Sequence, residues 1–289
     1  MKQKEYSILA LISPNKEGET VLKEALYLQG TLDVKLVLLN VIKQASFFER
    51  NFQPEETEKA VTKAKIELTN FVEDVIGKKL PSDIVISVRA GNPVNVLLEK
   101  SKTDSLEFLL IDKSDGNYEG ALNKDEINEL VSLSKCPVLT VNKDFGVPKI
   151  KNIAIPIDIT QSTKKRLLWA KFLAKRHNAK ITILSALKAN INEANSLALK
   201  NAQKIRHLFW EHNIECDIKI LKVYNHDSHE VILNYIKEEK PELVIIRTHQ
   251  ESVFSNSSIG RFVAEIVHGS KLPVFTVNYT PNPVESLFL

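Results

Sequence analysis

The sequence predicts two tandem α/β domains, each a doubly wound, five-stranded parallel sheet flanked by helices. One observation is an internal repeat: Ile8–Ser13 aligns with Ile153–Asp158, and Lys135–Val141 aligns with Lys271–Val277. A second is that each half alternates short apolar runs with longer stretches of helical periodicity. Strands that are apolar on both faces and alternate with helices form parallel sheets covered by helices.

The individual elements follow from these patterns. The predicted strands of the first half are Ser7–Ile12, Lys35–Val41, Ile84–Val88, Leu106–Ile111 and Pro137–Val141. Those of the second half are Asn152–Ile157, Lys180–Ala186, Asp217–Val223, Leu243–Thr248 and Pro273–Val277. Helical periodicity over Glu17–Gly30 places Val21, Leu22, Ala25 and Leu28 on one face. Over Gln161–His177 it does the same for Leu167, Leu168, Ala170, Phe172 and Leu173. Gly146 and Pro148 mark a linker, so we expect domains at residues 1–146 and 147–289.

Composition excludes several classes of protein. The 289 residues are 43% hydrophobic and 26% charged with a net charge of +3, which excludes a disordered or fibrous chain. Two cysteines exclude a disulfide framework and a multi-cysteine metal centre, and Cys136 and Cys216 are expected to be buried thiols. The only apolar run near the N-terminus, Ile8–Ile12, is too short for a signal peptide or a membrane span. We therefore expect a cytoplasmic protein without a membrane partner.

The order of these features resembles a tandem universal stress protein, with a Rossmann-like fold of the adenine nucleotide alpha hydrolase type in each half. The resemblance is carried by Ile155–Asp158, by the turn Gly91-Asn92-Pro93, and by Cys136–Leu139. It also includes Arg247 through Arg261 and the closing run Lys271–Val274. Nucleotide-binding members of that family carry a Gly-x2-Gly-x9-Gly-Ser/Thr loop after the fourth strand, which holds the ATP phosphates.

Both halves depart from that loop. In the second half the leading glycine positions hold Arg247 and Gln250, Gly260 remains, and Arg261 replaces the hydroxyl residue. In the first half the corresponding segments are Asp112-Lys113-Ser114-Asp115 and Asp125-Glu126, while Gly116 and Gly120 are out of register. Side chains then occupy the space that glycine leaves for phosphate, and carboxylates repel it. Ser13 also replaces the acidic residue that the family uses on the nucleoside. We expect the first half not to bind ATP in the family manner.

The second half is the predicted ligand site. In doubly wound sheets ligands bind beyond the carboxyl ends of the strands, where the strand order reverses. The candidate binding residues, from distant parts of the chain, are Asp158, Arg247, Thr248, His249, Gln250, Ser258, Gly260 and Arg261. Gly260 begins a helix whose N–H groups favour an anion, and Arg261 adds a forked donor. A weakly held nucleotide such as ATP or AMP, or another small anion, fits this site; the alternative is that Asp158 caps a helix and the other residues form a solvated loop.

Histidines and phenylalanines are unevenly distributed. All seven histidines lie in the second half, and His226-Asp227-Ser228-His229 has a spacing that suits a metal. The interpretation we favour is a surface helix start capped by Asp227, because spacing places no third ligand beside the pair. Phe47, Phe48 and Phe52 lie in an insertion of the first half and form either a folded-back loop or a partner contact.

Charge is also uneven between the halves. Residues 1–147 carry 19 Lys+Arg against 23 Asp+Glu, a net charge of −4, and the remainder carries 20 against 13, a net charge of +7. The basic residues lie on helices without interleaved aromatic residues, which disfavours nucleic-acid binding. An anionic ligand or complementary packing of the halves explains the difference equally well.

No hydrolase, transferase or dinucleotide motif is present, so the sequence favours a non-enzymatic protein. We expect stress-response function through a small ligand or a partner; the alternatives are a weak nucleotide binder using the second half and a metal or anion binder using its histidines. The matching runs Val138–Val141 and Val274–Val277 also predict that the halves pack as an intramolecular pseudo-dimer. The sequence leaves a homodimer open.

Overall fold

The structure, a computed structural model, describes most of both halves of the chain. The described residues are 6–42, 54–113, 118, 120–142, 149–157, 164–224, 227–248 and 260–277. The chain divides into two compact units, with the boundary between Val147 and Pro148.

The first unit is a parallel sheet covered by helices. Its elements, in chain order, are β1 (Ser7–Leu11), α1 (Lys16–Leu32), β2 (Lys35–Ile42), α2 (Pro54–Ile76), β3 (Ile84–Ala90), α3 (Pro93–Lys100), β4 (Leu106–Asp112), α4 (Lys124–Leu133) and β5 (Val138–Val141). The strand order is β3-β2-β1-β4-β5, and every described pairing is parallel. The order reverses between β1 and β4, so the carboxyl ends of these strands border the unit's crevice.

The second unit repeats this arrangement. Its elements are β6 (Asn152–Pro156), α5 (Lys164–His177), β7 (Lys180–Lys188), α6 (Leu197–Glu211), β8 (Cys216–Val223), α7 (Ser228–Glu239), β9 (Leu243–Arg247), α8 (Arg261–Gly269) and β10 (Val274–Val277). The strand order is β8-β7-β6-β9-β10, again parallel in every described pairing. The reversal lies between β6 and β9.

The predicted fold class is therefore confirmed: the chain has an α/β fold in which parallel sheets are flanked by helices. The observed strands differ from the predicted ones by no more than two residues at either end. The largest differences are at β3 and β7, each two residues longer than predicted, and β7 continues to Lys188 because its ladder with β8 runs on until Lys188 pairs with Val223. This extension adds residues to the edge of the sheet where a ligand would bind.

The cores form where the sequence pattern places them. All seven residues of β4 are buried, as expected of a central strand covered on both faces. The predicted inner face of α1 is confirmed, since Val21, Leu22, Ala25 and Leu28 are at most 1% exposed. On α5, Leu168 and Phe172 are only half-buried, because the helix turns its basic side outward at these positions.

Helix α1 begins at a tight turn that uses a glycine. Asn15 is the N-cap, and its side chain accepts a hydrogen bond from the Gly18 N–H at 2.8 Å. A Cβ atom at Gly18 would overlap the carbonyl oxygen of Ser13, so only glycine fits this turn. The turn fixes Ser13 directly after β1. Within the described part of the chain, no helix has both the length and the apolar character needed to cross a membrane.

Candidate functional site

A cavity of about 410 Å³ opens at the carboxyl edge of the second unit's sheet. Its size falls in the range of small-molecule sites. It is lined by residues from the ends of β6 and β7 and the starts of α7 and α8, namely Pro156, Ile157, Ser185, Ala186, Leu187, Lys188, Ile191, Asp227, Ser228, His229, Ile232 and Phe262. The walls thus combine seven apolar residues with five polar or charged ones.

Ser185 is the most deeply buried polar group of this wall. Its residue is 1% exposed, and its hydroxyl has no hydrogen-bond partner in the described structure. Buried hydroxyls are nearly always hydrogen-bonded, so an unsatisfied one beside a cavity can be satisfied by a ligand. The sheet holds it rigidly, because Ser185 pairs with Ile220 of the edge strand β8.

The start of α7 contributes a stacked imidazole. Asp227 is the N-cap and accepts a hydrogen bond from the His229 N–H at 3.2 Å. The ring of His229 lies 4.4 Å from that of Phe262 at an interplanar angle of 32°. Its Nδ1 atom lies 3.9 Å from a carboxylate oxygen of Asp227. The predicted cap is present, and His229 is half-buried: its side chain is 23% exposed and lines the cavity.

The sequence did not indicate Ser185 or Phe262 as binding residues, and it indicated His229 only for the alternative of a metal or anion site. A comparison of the two halves contains a signal for one of them. Counting from the N-caps Asn92 and Asp227, His229 stands where the first unit has the buried Val94. An imidazole in place of a core valine indicates that the start of α7 does not serve only to pack the core, as the start of α3 does.

The start of α8 has no side-chain cap among the described residues. Gly260 is its N-cap and provides no side-chain hydrogen bond to the first turn. Uncapped N–H groups and the helix dipole favour an anion at such a position. The Arg261 side chain is not arranged to bind such an anion, because its Nε donates to Glu265 at 2.7 Å and the side chain is 71% exposed. Phe262, the next residue, is the one that reaches the cavity wall.

The remaining predicted residues divide into two groups. Arg247 ends β9 opposite Val277, and Thr248 is fully buried with its N–H donating to the Val277 carbonyl at 3.2 Å. Neither of them lines the cavity. The other four predicted residues, Asp158, His249, Gln250 and Ser258, lie outside the described residues. So do His226 and the phenylalanines at 47, 48 and 52.

A buried arginine forms a hydrogen bond with the backbone of one residue that lines the cavity. Arg166 of α5 is 4% exposed, and its Nη1 donates to the Pro156 carbonyl at 2.6 Å. The sequence indicated only that the basic residues lie on helices, which does not reveal the burial of Arg166. A charge-assisted hydrogen bond to a backbone carbonyl fixes the end of β6 at the cavity.

The equivalent edge of the first unit is filled by its own side chains. The Tyr118 hydroxyl donates to Asp112, at the end of β4, at 2.5 Å. Gly120 has a φ of +87°, and a Cβ atom there would overlap the Ser13 hydroxyl. Lys113 is 6% exposed, and burial lowers its pKa to about 7 although Asp112 opposes the change. Asp112 and Ser13 are therefore covered by Tyr118 and Gly120 rather than open to a ligand.

The helix that follows is also closed to anions. Asn123 and Glu126 form a capping box at the start of α4, in which the Asn123 side chain accepts from the Glu126 N–H at 2.9 Å. The Glu126 carboxylate in turn accepts from the Asn123 N–H at 2.8 Å. The start of α4 is thus capped by side chains, whereas α8 has no side-chain cap among the described residues.

The structure also bears on the two cysteines and on the predicted alternative of a metal site. Cys136 and Cys216 are buried, as predicted, and burial raises the pKa of each thiol to about 12. The described part of the chain contains no group of three or more His, Cys, Asp or Glu side chains that could hold a metal ion.

Comparisons with known proteins agree with this geometry. Residues 149–278 match the model of the universal stress protein family. A universal stress protein from Archaeoglobus fulgidus DSM 4304 superimposes with a TM-score of 0.71 at 16% identity, covering 96% of this chain and 99% of that one. A putative universal stress protein from Pseudomonas aeruginosa UCBPP-PA14 gives a TM-score of 0.60 at 17% identity, covering 97% and 95%. At these identities the likeness concerns the fold.

A comparison with curated proteins gives no match. The family model covers the β6–β10 repeat, where the cavity lies. The second half of this chain, residues 149–278, is therefore a domain of the universal stress protein family.

Proposed function

We propose that this protein is a non-enzymatic protein of the universal stress type that acts in the stress response by binding a small ligand in its second half. The first half, in this proposal, is a second domain of the same type that has lost its ligand site. The observation that carries the proposal is the contrast between the two crevices. One holds a cavity of about 410 Å³, and in the other Tyr118 and Gly120 cover Asp112 and Ser13.

The chemistry of the cavity supports a small ligand with an anionic group. The apolar residues of the wall suit an uncharged part of the ligand. The Ser185 hydroxyl has no hydrogen-bond partner among the described residues, and Lys188 adds a positive charge at the edge of the cavity. The uncapped start of α8 next to Phe262 favours a negative group. A monophosphate such as AMP meets these requirements, and weak binding of AMP or ATP is the second candidate function.

We also propose that the two halves pack as an intramolecular pseudo-dimer. The closing strands β5 and β10 have the same length and a similar apolar sequence, and all four residues of each are buried. Joining two such domains on one chain gives each a partner at high effective concentration.

The function is tested by thermal-shift and calorimetric titration of the whole protein with AMP, ATP and inorganic phosphate. Mass spectrometry of material that co-purifies with the protein complements the titrations. We expect AMP or phosphate to raise the melting temperature with a stoichiometry of one per chain. His229→Ala should weaken that binding about tenfold, because it removes one member of the stacked pair lining the cavity.

His207→Ala is the matched control, since His207 is a histidine of the same unit that is 74% exposed on α6. It should bind like the wild type. Equal affinity in His229→Ala, or two ligands bound per chain, would contradict the proposed site.

A further inference from the structure

The positive charge of the second unit is concentrated in one layer of helices. Helices α5 and α6 contain six and three Lys+Arg residues, against a single acidic residue, Glu211. Helices α7 and α8 contain four Glu against Lys237 and Arg261. Right-handed crossovers from β6 to β7 and from β7 to β8 run in the same direction, so α5 and α6 cover the same face of the sheet. Lys171 and His212, 3.5 Å apart, join the two helices.

Six of the nine cations reach the surface. Arg166 is buried, and the side chains of Lys164 and Lys165 lie outside the described structure. The exposed or half-exposed ones, which we call the basic face, are Lys171, Lys175, Arg176, Lys200, Lys204 and Arg206.

Most cations of the basic face have no carboxylate partner among the described residues. Apart from Lys171, whose Nζ contacts His212, none of them has an ion pair with a described residue. Glu211 pairs with His207 instead, at 3.4 Å. On the opposite layer, by contrast, Arg261 is paired with Glu265. An uncompensated set of like charges on one face attracts a polyanion.

Aromatic rings lie beneath two of these cations, which the sequence analysis did not foresee. The Arg206 guanidinium carbon lies 4.5 Å from the ring centroid of Trp210, and that of Arg176 lies 5.5 Å from the ring of Phe172. Each pair is four residues apart on its helix, so the rings and cations share a face although they are not adjacent in sequence. Trp210 remains 52% exposed.

We propose that the basic face binds single-stranded nucleic acid. Lysine and arginine side chains neutralise phosphates, and bases stack on Trp210 and on the guanidinium planes, the combination used by sequence-tolerant single-strand binders. The layer is built from two packed helices lying against a sheet, so no protruding helix or ribbon enters the groove of a duplex. This inference is independent of the cavity and of the proposed ligand.

The test is fluorescence titration of the whole protein with 12-nucleotide oligo-dT and oligo-U. Trp210 is half-exposed and the second tryptophan, Trp169, is 3% exposed, so quenching reports on the basic face. We expect binding with quenching at 50 mM salt and an affinity about 20- to 50-fold lower at 200 mM, as for roughly three or four neutralised phosphates. Trp210→Phe should remove the quenching, and Lys204→Glu combined with Arg206→Glu should lower affinity at least tenfold.

The matched control is Lys59→Glu combined with Lys237→Glu, which changes the net charge equally at residues outside the basic face. It should bind like the wild type. Two results would overturn the proposal: equal loss in both double variants, or displacement of the oligonucleotide by poly-aspartate at matched charge. The first would indicate a net-charge effect and the second a surface for acidic proteins.

Discussion

Two carboxyl groups are buried in the first unit without a stabilising charge. Glu24 of α1 is 4% exposed, and Glu107 of β4 is 6% exposed. Burial raises the pKa of each to about 7, because it disfavours the ionised form. One oxygen of Glu24 has no hydrogen-bond partner in the described structure, so ionisation leaves an unsolvated charge.

The stability of the protein should therefore depend on pH through Glu24. The folded-state pKa lies above the ordinary value of 4.5, so protonation favours folding. The stabilisation is complete below pH 4.5 and is lost as pH rises through about 7. The variant Glu24→Gln should flatten this decline and be more stable than the wild type at pH 8 by roughly 3 kcal/mol at most. Urea unfolding at pH 5 and pH 8 measures the difference.

Other titratable groups also change the stability with pH, so the effect of Glu24 is measured as the difference between the variant and the wild type. The pKa of His177 in the second unit is lowered to about 4 by burial, which makes stability rise with pH in the same window. The exposed Glu99→Gln changes net charge equally and should leave the pH dependence as in the wild type. An unchanged slope in Glu24→Gln would show that this carboxyl is solvated in the native protein.

Equivalent helices of the two units begin in different ways. Helix α4 starts with the Asn123–Glu126 capping box, whereas α8 starts at Gly260 without a side-chain cap. A cap stabilises the helix at the cost of the anion site that its free N–H groups would provide. The same structural element thus has a stabilising side-chain cap in one unit and no such cap in the other.

This difference predicts that Asn123→Ala destabilises the first unit by about 1 kcal/mol, because the Glu126 N–H loses its acceptor. The lowered melting temperature should come without a change in AMP affinity. Glu126→Gln keeps both hydrogen bonds of the box and should cost little. A loss as large in Glu126→Gln as in Asn123→Ala would mean that charge at the helix start, and not the cap, carries the effect.

On the scale of the whole molecule, two domains on one chain remove the dependence of assembly on concentration. If β5 and β10 belong to an intramolecular pseudo-dimer, packing of the halves is not subject to mass action. We expect the melting temperature to be constant over a hundredfold range of protein concentration. Light scattering gives the mass of the particle over the same range, against 32.7 kDa for one chain. A melting temperature that rises with concentration would show that association between chains supplies the packing.

The position of the candidate site was predictable, but its composition was not. The sheet topology follows from the order of apolar runs, and topology places a ligand beyond the strand ends. The sequence favoured a surface helix start for His229 because no third ligand is spaced beside the pair. Spacing along one helix does not reveal Phe262, which follows in sequence more than thirty residues later. The sequence placed the basic residues on helices, but it did not reveal that Arg166 is buried against Pro156 or that Arg206 covers Trp210.

By itself the sequence determined the repeated α/β fold, the two inner helix faces and the loss of phosphate-loop glycines, since each depends on local periodicity or on a residue type. Tertiary structure alone decided that Tyr118 covers Asp112 in one unit while Ser185, His229 and Phe262 line a cavity in the other. It also decided that α5 meets the end of α6 through Lys171 and His212. These features depend on residues brought together from different strands and helices, and the pairing of side chains across elements follows from packing, which a pattern along the chain does not contain.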